Sequence, residues 1–143
     1  MTLTPDQRPL VIAGALLFLL GLLEGALVQS FHNPRMGLSA HLTAVQCGMA
    51  LMLAGLVWPA AALRATLARV ARVTLIAGMF GLWSGLTVSA ATGASSSLPI
   101  AGAGIEAAPT IEALVTVLVL GGSLLMTIGW AIFLLGLVRS GRA

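Results

Sequence analysis

Few side chains in this chain are equipped for chemistry, and most of them sit in apolar surroundings. Glu24 lies in LLGLLEGALV, His41 in NPRMGLSAHL and Cys47 in VQCGM. An imidazole can ligate a metal, occupy an axial position of a haem or act as a base. The other histidine, His32, falls in a turn, and no Cys/His pair stands at zinc-ligand spacing. That argues against a tetrahedral zinc site, whereas a haem needs one strong axial ligand. The competing use of His41 is an interfacial imidazole bonded to a loop carbonyl. Glu24, apolar on both sides, reads as a proton carrier or as a partner for His41 or a cofactor edge. Its alternative is a carboxyl snorkelling to water. Glu112, just after Pro109, suits the first turn of a helix, where a carboxylate favours the dipole. Cys47 is rotated roughly 120° from His41 on a helix and reads as a small buried hydrophobe. Trp58, Trp83 and Trp130 read as interface or packing aromatics.

The elements that position these groups follow from composition. Of 143 residues, 59% are hydrophobic and 8% charged, against about 25% charged in soluble domains. Mean hydropathy is +1.07. Such a chain cannot cover its surface in water and is expected in a membrane. The pI near 11.2 reflects seven arginines against four acids, with no lysine. A net charge of +3 without a basic stripe is no nucleic-acid footprint. One cysteine excludes an internal disulfide.

Four segments, 10–31, 38–58, 70–91 and 111–138, reach the roughly 20 apolar residues needed to cross a bilayer. The first is longer than a signal-peptide core and reads as a retained span. Arg8, Arg64, Arg69, Arg72, Arg139 and Arg142 fall on one side of four spans, and Arg35 on the other with Glu106 and Glu112. The arginine bias predicts cytoplasmic termini in a cell (inner) membrane. It also puts Glu24, His41 and Glu112 toward the opposite side. His32-Asn33-Pro34 is turn chemistry, and Pro59 ends the second span. The 92–110 loop, rich in Gly, Ser and Pro, is long enough to be functional or disordered. Its Gly102-Ala103-Gly104 lacks the strand and lysine of a phosphate cradle. Glycines and alanines recur at three- and four-residue spacing, as in Gly14, Gly21, Gly25 and Gly78, Gly81, Gly85, which lets helix backbones approach. Four helices enclose little interior, so a buried cofactor would need walls from a neighbouring subunit.

NPRMGLSAHL, followed by VQCGMALMLAGLVWP, resembles the second-helix signature of the hydroxylaminobenzene mutase and styrene oxide isomerase family. LPIAGAG, the Glu112-Ala113-Leu114-Val115 run and the closing LLGLVR sit where that family has comparable segments. The resemblance implies a trimer of four-helix subunits holding haem b at subunit interfaces, with His41 as axial ligand. Ferric iron would act as a Lewis acid on an apolar epoxide or aryl hydroxylamine in a redox-neutral rearrangement. This chain departs from the pattern at several positions. Thr43-Ala44 replaces a Glu-Gly, Cys47 an asparagine, and Phe80-Gly81-Leu82-Trp83 a Tyr-x-Asn-Trp. Phenylalanine and leucine cannot donate the hydrogen bonds that a tyrosine and an asparagine offer a substrate oxygen.

The expectation is therefore an all-α, integral membrane four-helix bundle, a single domain over 1–143, forming a homotrimer. Its expected activity is that of a haem b isomerase or mutase acting on a small apolar aromatic substrate, with no nucleic-acid partner. His41 would bind the haem iron, Glu24 would be the acid, and Cys47, Phe80 and Trp83 would shape a pocket between the second and third spans. The alternatives are a haem-binding, non-catalytic or regulatory paralogue and a small transport or structural membrane protein.

Overall fold

In the computed structural model, residues 2–102 and 104–141 are described. Arg142, counted above among the arginines of one side, and Ala103 of the Gly102-Ala103-Gly104 run lie outside them. There are four long helices, α1 (Gln7–Leu27), α2 (Pro34–Val57), α3 (Ala65–Thr92) and α5 (Pro109–Ser140), with a short α4 (Pro99–Gly102) in the connection between α3 and α5. The chain is thus an all-α protein with four helices long and apolar enough to span a bilayer.

The helices start earlier than hydropathy alone indicates, because polar residues build their first turns. The Asn33 side chain accepts the Met36 N–H at 3.2 Å and Pro34 supplies a pre-set φ at the first position, so α2 begins at Pro34. Starting at Ala65, α3 takes Arg69 and Arg72 into its first turns, and Arg72 pairs with Asp6 before α1. After Val57 the chain tightens into a 3₁₀ turn, Trp58–Ala61, that carries Pro59. Ala62 then adopts a left-handed φ of 44° and reverses the chain into α3.

Two helix pairs make up the bundle, α1 with α2 and α3 with α5, joined chiefly across α2 and α3. Small residues set the closeness within each pair. A Cβ on Gly14 would lie 2.6 Å from the Gly48 carbonyl, and one on Gly122 would lie 2.5 Å from the Leu82 nitrogen. Two apolar clusters fill the interior. One holds Leu10, Leu17, Cys47, Leu51, Trp58, Leu75 and Phe133; the other holds Met36, Ala40, Leu86, Ala90 and Val115. Trp58 stacks on Phe133 at 5.2 Å and Trp130 meets it edge-on at 5.7 Å, so both tryptophans pack inward. Large aliphatics such as Leu23, Leu53, Val117 and Leu124 line the outside, as a lipid-facing surface requires.

The 92–110 loop is tied down. The Asn33 backbone N–H donates to the Ala90 carbonyl at 2.9 Å, and its side-chain amide donates to Ala101 at 3.2 Å and Gly102 at 3.4 Å. Ser89 and Ser95 hydroxyls bond the Ala94 and Ile105 carbonyls. One buried asparagine therefore caps α2 and fastens both loops at that end of the bundle. Asn33→Asp keeps the cap acceptor but loses both amide donors, whereas Asn33→Ala loses both functions. Unfolding in detergent should rank wild type above Asp and Asp above Ala, with about 1 kcal/mol for the cap and about 1 kcal/mol for each lost bond.

Candidate functional site

His41 lies two turns into α2, against α1. Its Nδ1 is 2.7 Å from the Gly21 carbonyl oxygen. A carbonyl only accepts, so Nδ1 carries the proton and donates. Nε2 makes no hydrogen bond among the described residues, which leaves its lone pair for a ligand or a proton. The expected bland role was a bond to a loop carbonyl; the partner instead belongs to a helix backbone. That approach depends on Gly25, one turn along from Gly21, where a Cβ would stand 2.7 Å from Nδ1 and 2.8 Å from Cε1. The imidazole rests on a glycine-floored notch in α1 and is half-buried.

Glu24 neighbours that notch and turns toward α3. It is 6% exposed. The Trp83 indole N–H donates to Oε2 at 2.8 Å, and the Thr87 hydroxyl lies 2.7 Å from Oε1. Thr87 is also 3.0 Å from the Trp83 carbonyl. A hydroxyl has one proton to give. Thr87 gives it to Oε1, the shorter contact, so each carboxyl oxygen of Glu24 has a donor. Glu24 is therefore engaged rather than snorkelling.

The remaining candidates divide. Cys47 is 9% exposed and belongs to an apolar cluster against which Phe80 and Trp83 pack, and those two rings meet edge-on at 6.2 Å. Cys47, Phe80 and Trp83 thus belong to one apolar cluster, and the Trp83 indole carries its bond to Glu24. Leu82 packs instead on the second cluster, so the four-residue stretch Phe80–Trp83 does not act as one surface. Glu112 does not join Glu24 and His41. Its carboxylate accepts the backbone N–H groups of Ser95 and Ala107 at 3.1 Å and of Ser96 at 2.9 Å, holding the loop to α5.

Sequence reading passed over Thr87 and the specific duties of Gly21 and Gly25. The signal was present in part: Thr87 is four residues after Trp83, hence on its face of α3, and Gly21 and Gly25 flank Glu24.

The styrene oxide isomerase family model matches residues 6–138, nearly the whole chain. The chain belongs to the styrene oxide isomerase family. It is similar to the hydroxylaminobenzene mutases HabA and HabB of Ectopseudomonas oleovorans. HabA is 37% identical over 134 residues, covering 93% of this chain and 99% of the relative; HabB is 36% identical over 134 residues, covering 93% and 82%. No solved structure matches. With four candidate spans, this member of the family is a multi-pass membrane isomerase.

The Glu24 contacts give a direct check on the site. Trp83→Phe and Thr87→Val each leave a buried carboxyl oxygen without its donor. Each should lower stability in detergent by about 1–3 kcal/mol. In a Glu24→Leu background neither substitution should carry that penalty, and melting curves of the double variants measure the difference.

Proposed function

We propose that the chain is a haem b-dependent isomerase of the cell membrane, with His41 Nε2 as the iron ligand and an apolar aryl hydroxylamine as substrate. The observation that carries the reading is the 2.7 Å bond from His41 Nδ1 to the Gly21 carbonyl. Metal-binding imidazoles commonly donate their second N–H to a carbonyl or carboxylate, which fixes the tautomer and strengthens the free nitrogen as a ligand. The donor set fits a haem: one neutral imidazole, held by backbone, over a floor that a Cβ would fill. Bound haem would supply ferric iron as a Lewis acid for the substrate oxygen.

The chain's own residues divide the remaining work. Gly21 and Gly25 hold the imidazole in one orientation. Cys47, Phe80 and Trp83 form an apolar wall that excludes water and suits an aromatic ring entering from lipid. Glu24, its carboxyl oriented by the Trp83 indole N–H and the Thr87 hydroxyl, is the group that relays a proton during the rearrangement. It offers a polar function where the family's tyrosine and asparagine are replaced by Phe80 and Leu82. The reaction moves a hydroxyl from nitrogen to the ring, so protons are relocated and no external oxidant or reductant is consumed. Similarity to two mutases over nearly the full chain favours the hydroxylamine; the family description keeps a styrene-oxide-like epoxide as the second substrate to assay.

A single four-helix subunit leaves the half-buried His41 little cover. The assembly we infer is a homotrimer with the haem between subunits and both termini cytoplasmic. Arg72 with Asp6, and Ser140 with Ala60, place the two chain ends at one end of the bundle.

The absorption spectrum of purified protein tests this reading. Wild type should show a haem Soret band, His41→Ala should lose it, and Gly25→Val should weaken it by crowding the imidazole. Glu24→Gln should keep the band while slowing phenylhydroxylamine turnover about 100-fold or more, the usual weight of a positioned acid or base. A wild-type protein that stays colourless after haemin addition rules the proposal out.

A further inference from the structure

A cavity of about 560 Å³ opens at the end of the bundle far from His41, between the α2–α3 turn and the last turns of α5. Arg64 and Arg139 form part of its lining, together with the apolar side chains of Leu67, Ile132 and Leu135. The turn that shapes it is held in place. The left-handed backbone at Ala62 swings the chain toward Arg64. Gly136 lets that turn press on α5, since a Cβ there would lie 2.6 Å from the Ala61 carbonyl. The Ser140 hydroxyl donates to the Ala60 carbonyl at 2.6 Å and ties α5 to the same turn.

Charge is unbalanced here. Among the described residues the only salt bridge is Arg72 with Asp6, and the described residues that line the cavity include Arg64 and Arg139 but no carboxylate side chain. Two guanidinium groups in a shared recess repel, more so beside hydrocarbon than in bulk water. An anion between them turns that repulsion into attraction, and guanidinium forks match phosphate oxygens. The cavity lies where α3 begins and α5 ends, at the level of lipid headgroups for helices that span. Leu67 and Leu135 are 42% and 55% exposed and continue the recess along the lipid-facing surface.

We propose that this cavity binds an anionic phospholipid, its phosphate between Arg64 and Arg139 and one acyl chain along Leu67, Ile132 and Leu135. Free phosphate would engage the arginines but leave the apolar wall uncovered; a zwitterionic lipid would cover the wall but bring a compensating cation. The site is independent of His41 and of haem.

Full-length protein purified in detergent, titrated with phosphatidylglycerol, phosphatidylcholine or inorganic phosphate, provides the test by thermal melting and native mass spectrometry. Phosphatidylglycerol should raise the Tm and survive as a bound lipid, and the other two should not. Arg64→Gln and Arg139→Gln should each weaken its binding about fivefold, and the double variant roughly thirtyfold. Arg69→Gln, at the same end but outside the cavity, should bind as wild type does. Equal binding of phosphatidylcholine, an equal Tm rise with phosphate alone, or undiminished phosphatidylglycerol binding by the double variant would each overturn the proposal. If the double variant fails to fold, the lipid selectivity of the wild type still decides.

Discussion

Helix backbones touch in this protein, and the rest of the structure depends on that contact. Lipid tails are as apolar as leucine, so burying leucine against leucine gains little inside a bilayer. What holds helices together there is close packing, which needs residues without bulk. Gly14 and Gly48 provide it between α1 and α2, and Gly78 and Gly122 between α3 and α5. Because α1 and α2 come this near, the His41 ring can reach a helix carbonyl across the gap. Alanine in place of Gly25 would put a carbon within 3 Å of that ring. The same closeness that stabilises the bundle thus fixes the tautomer and direction of its one intramembrane imidazole.

Three buried or loop-binding polar side chains, Glu24, Asn33 and Glu112, each have specific partners. Glu24 meets Trp83 and Thr87, Asn33 meets both loops, and Glu112 gathers three backbone N–H groups. Such groups are costly when left alone, and their pairing explains how an 8%-charged chain tolerates them. Glu112 and Glu24 show that a shared depth does not imply a shared task. One carboxylate is spent on the connection before α5, while the other is bonded at the edge of the aromatic pair Phe80 and Trp83.

The family's second-helix signature takes on separate physical meanings residue by residue. Asn33 and Pro34 start the helix, and Asn33 fastens the loops; Gly37 gives room to Phe31, whose ring would lie 2.6 Å from a Cβ there; His41 presents an imidazole nitrogen that makes no hydrogen bond among the described residues. Most of that signature is therefore architecture for one imidazole. The altered positions fall elsewhere. Ala44 packs against Gly21 at the α1–α2 seam, and Cys47 is buried in the apolar cluster.

By itself the sequence determined the four spans, the all-helical class, the family and the singling out of Glu24 and His41. These follow from hydropathy over lengths of about 20 residues and from the cost of ionisable groups in lipid, both local properties of the chain. Helix starts were less legible, since α2 and α3 begin with polar or charged turns that hydropathy discounts and that Asn33 and Arg72 stabilise through distant partners. Only the tertiary structure decided that His41 faces a glycine notch, that Thr87 completes the Glu24 contacts, and that Glu112 serves a loop. A side chain's partner across a helix gap depends on crossing angle and register, which packing of the whole bundle sets and no short stretch of residues encodes.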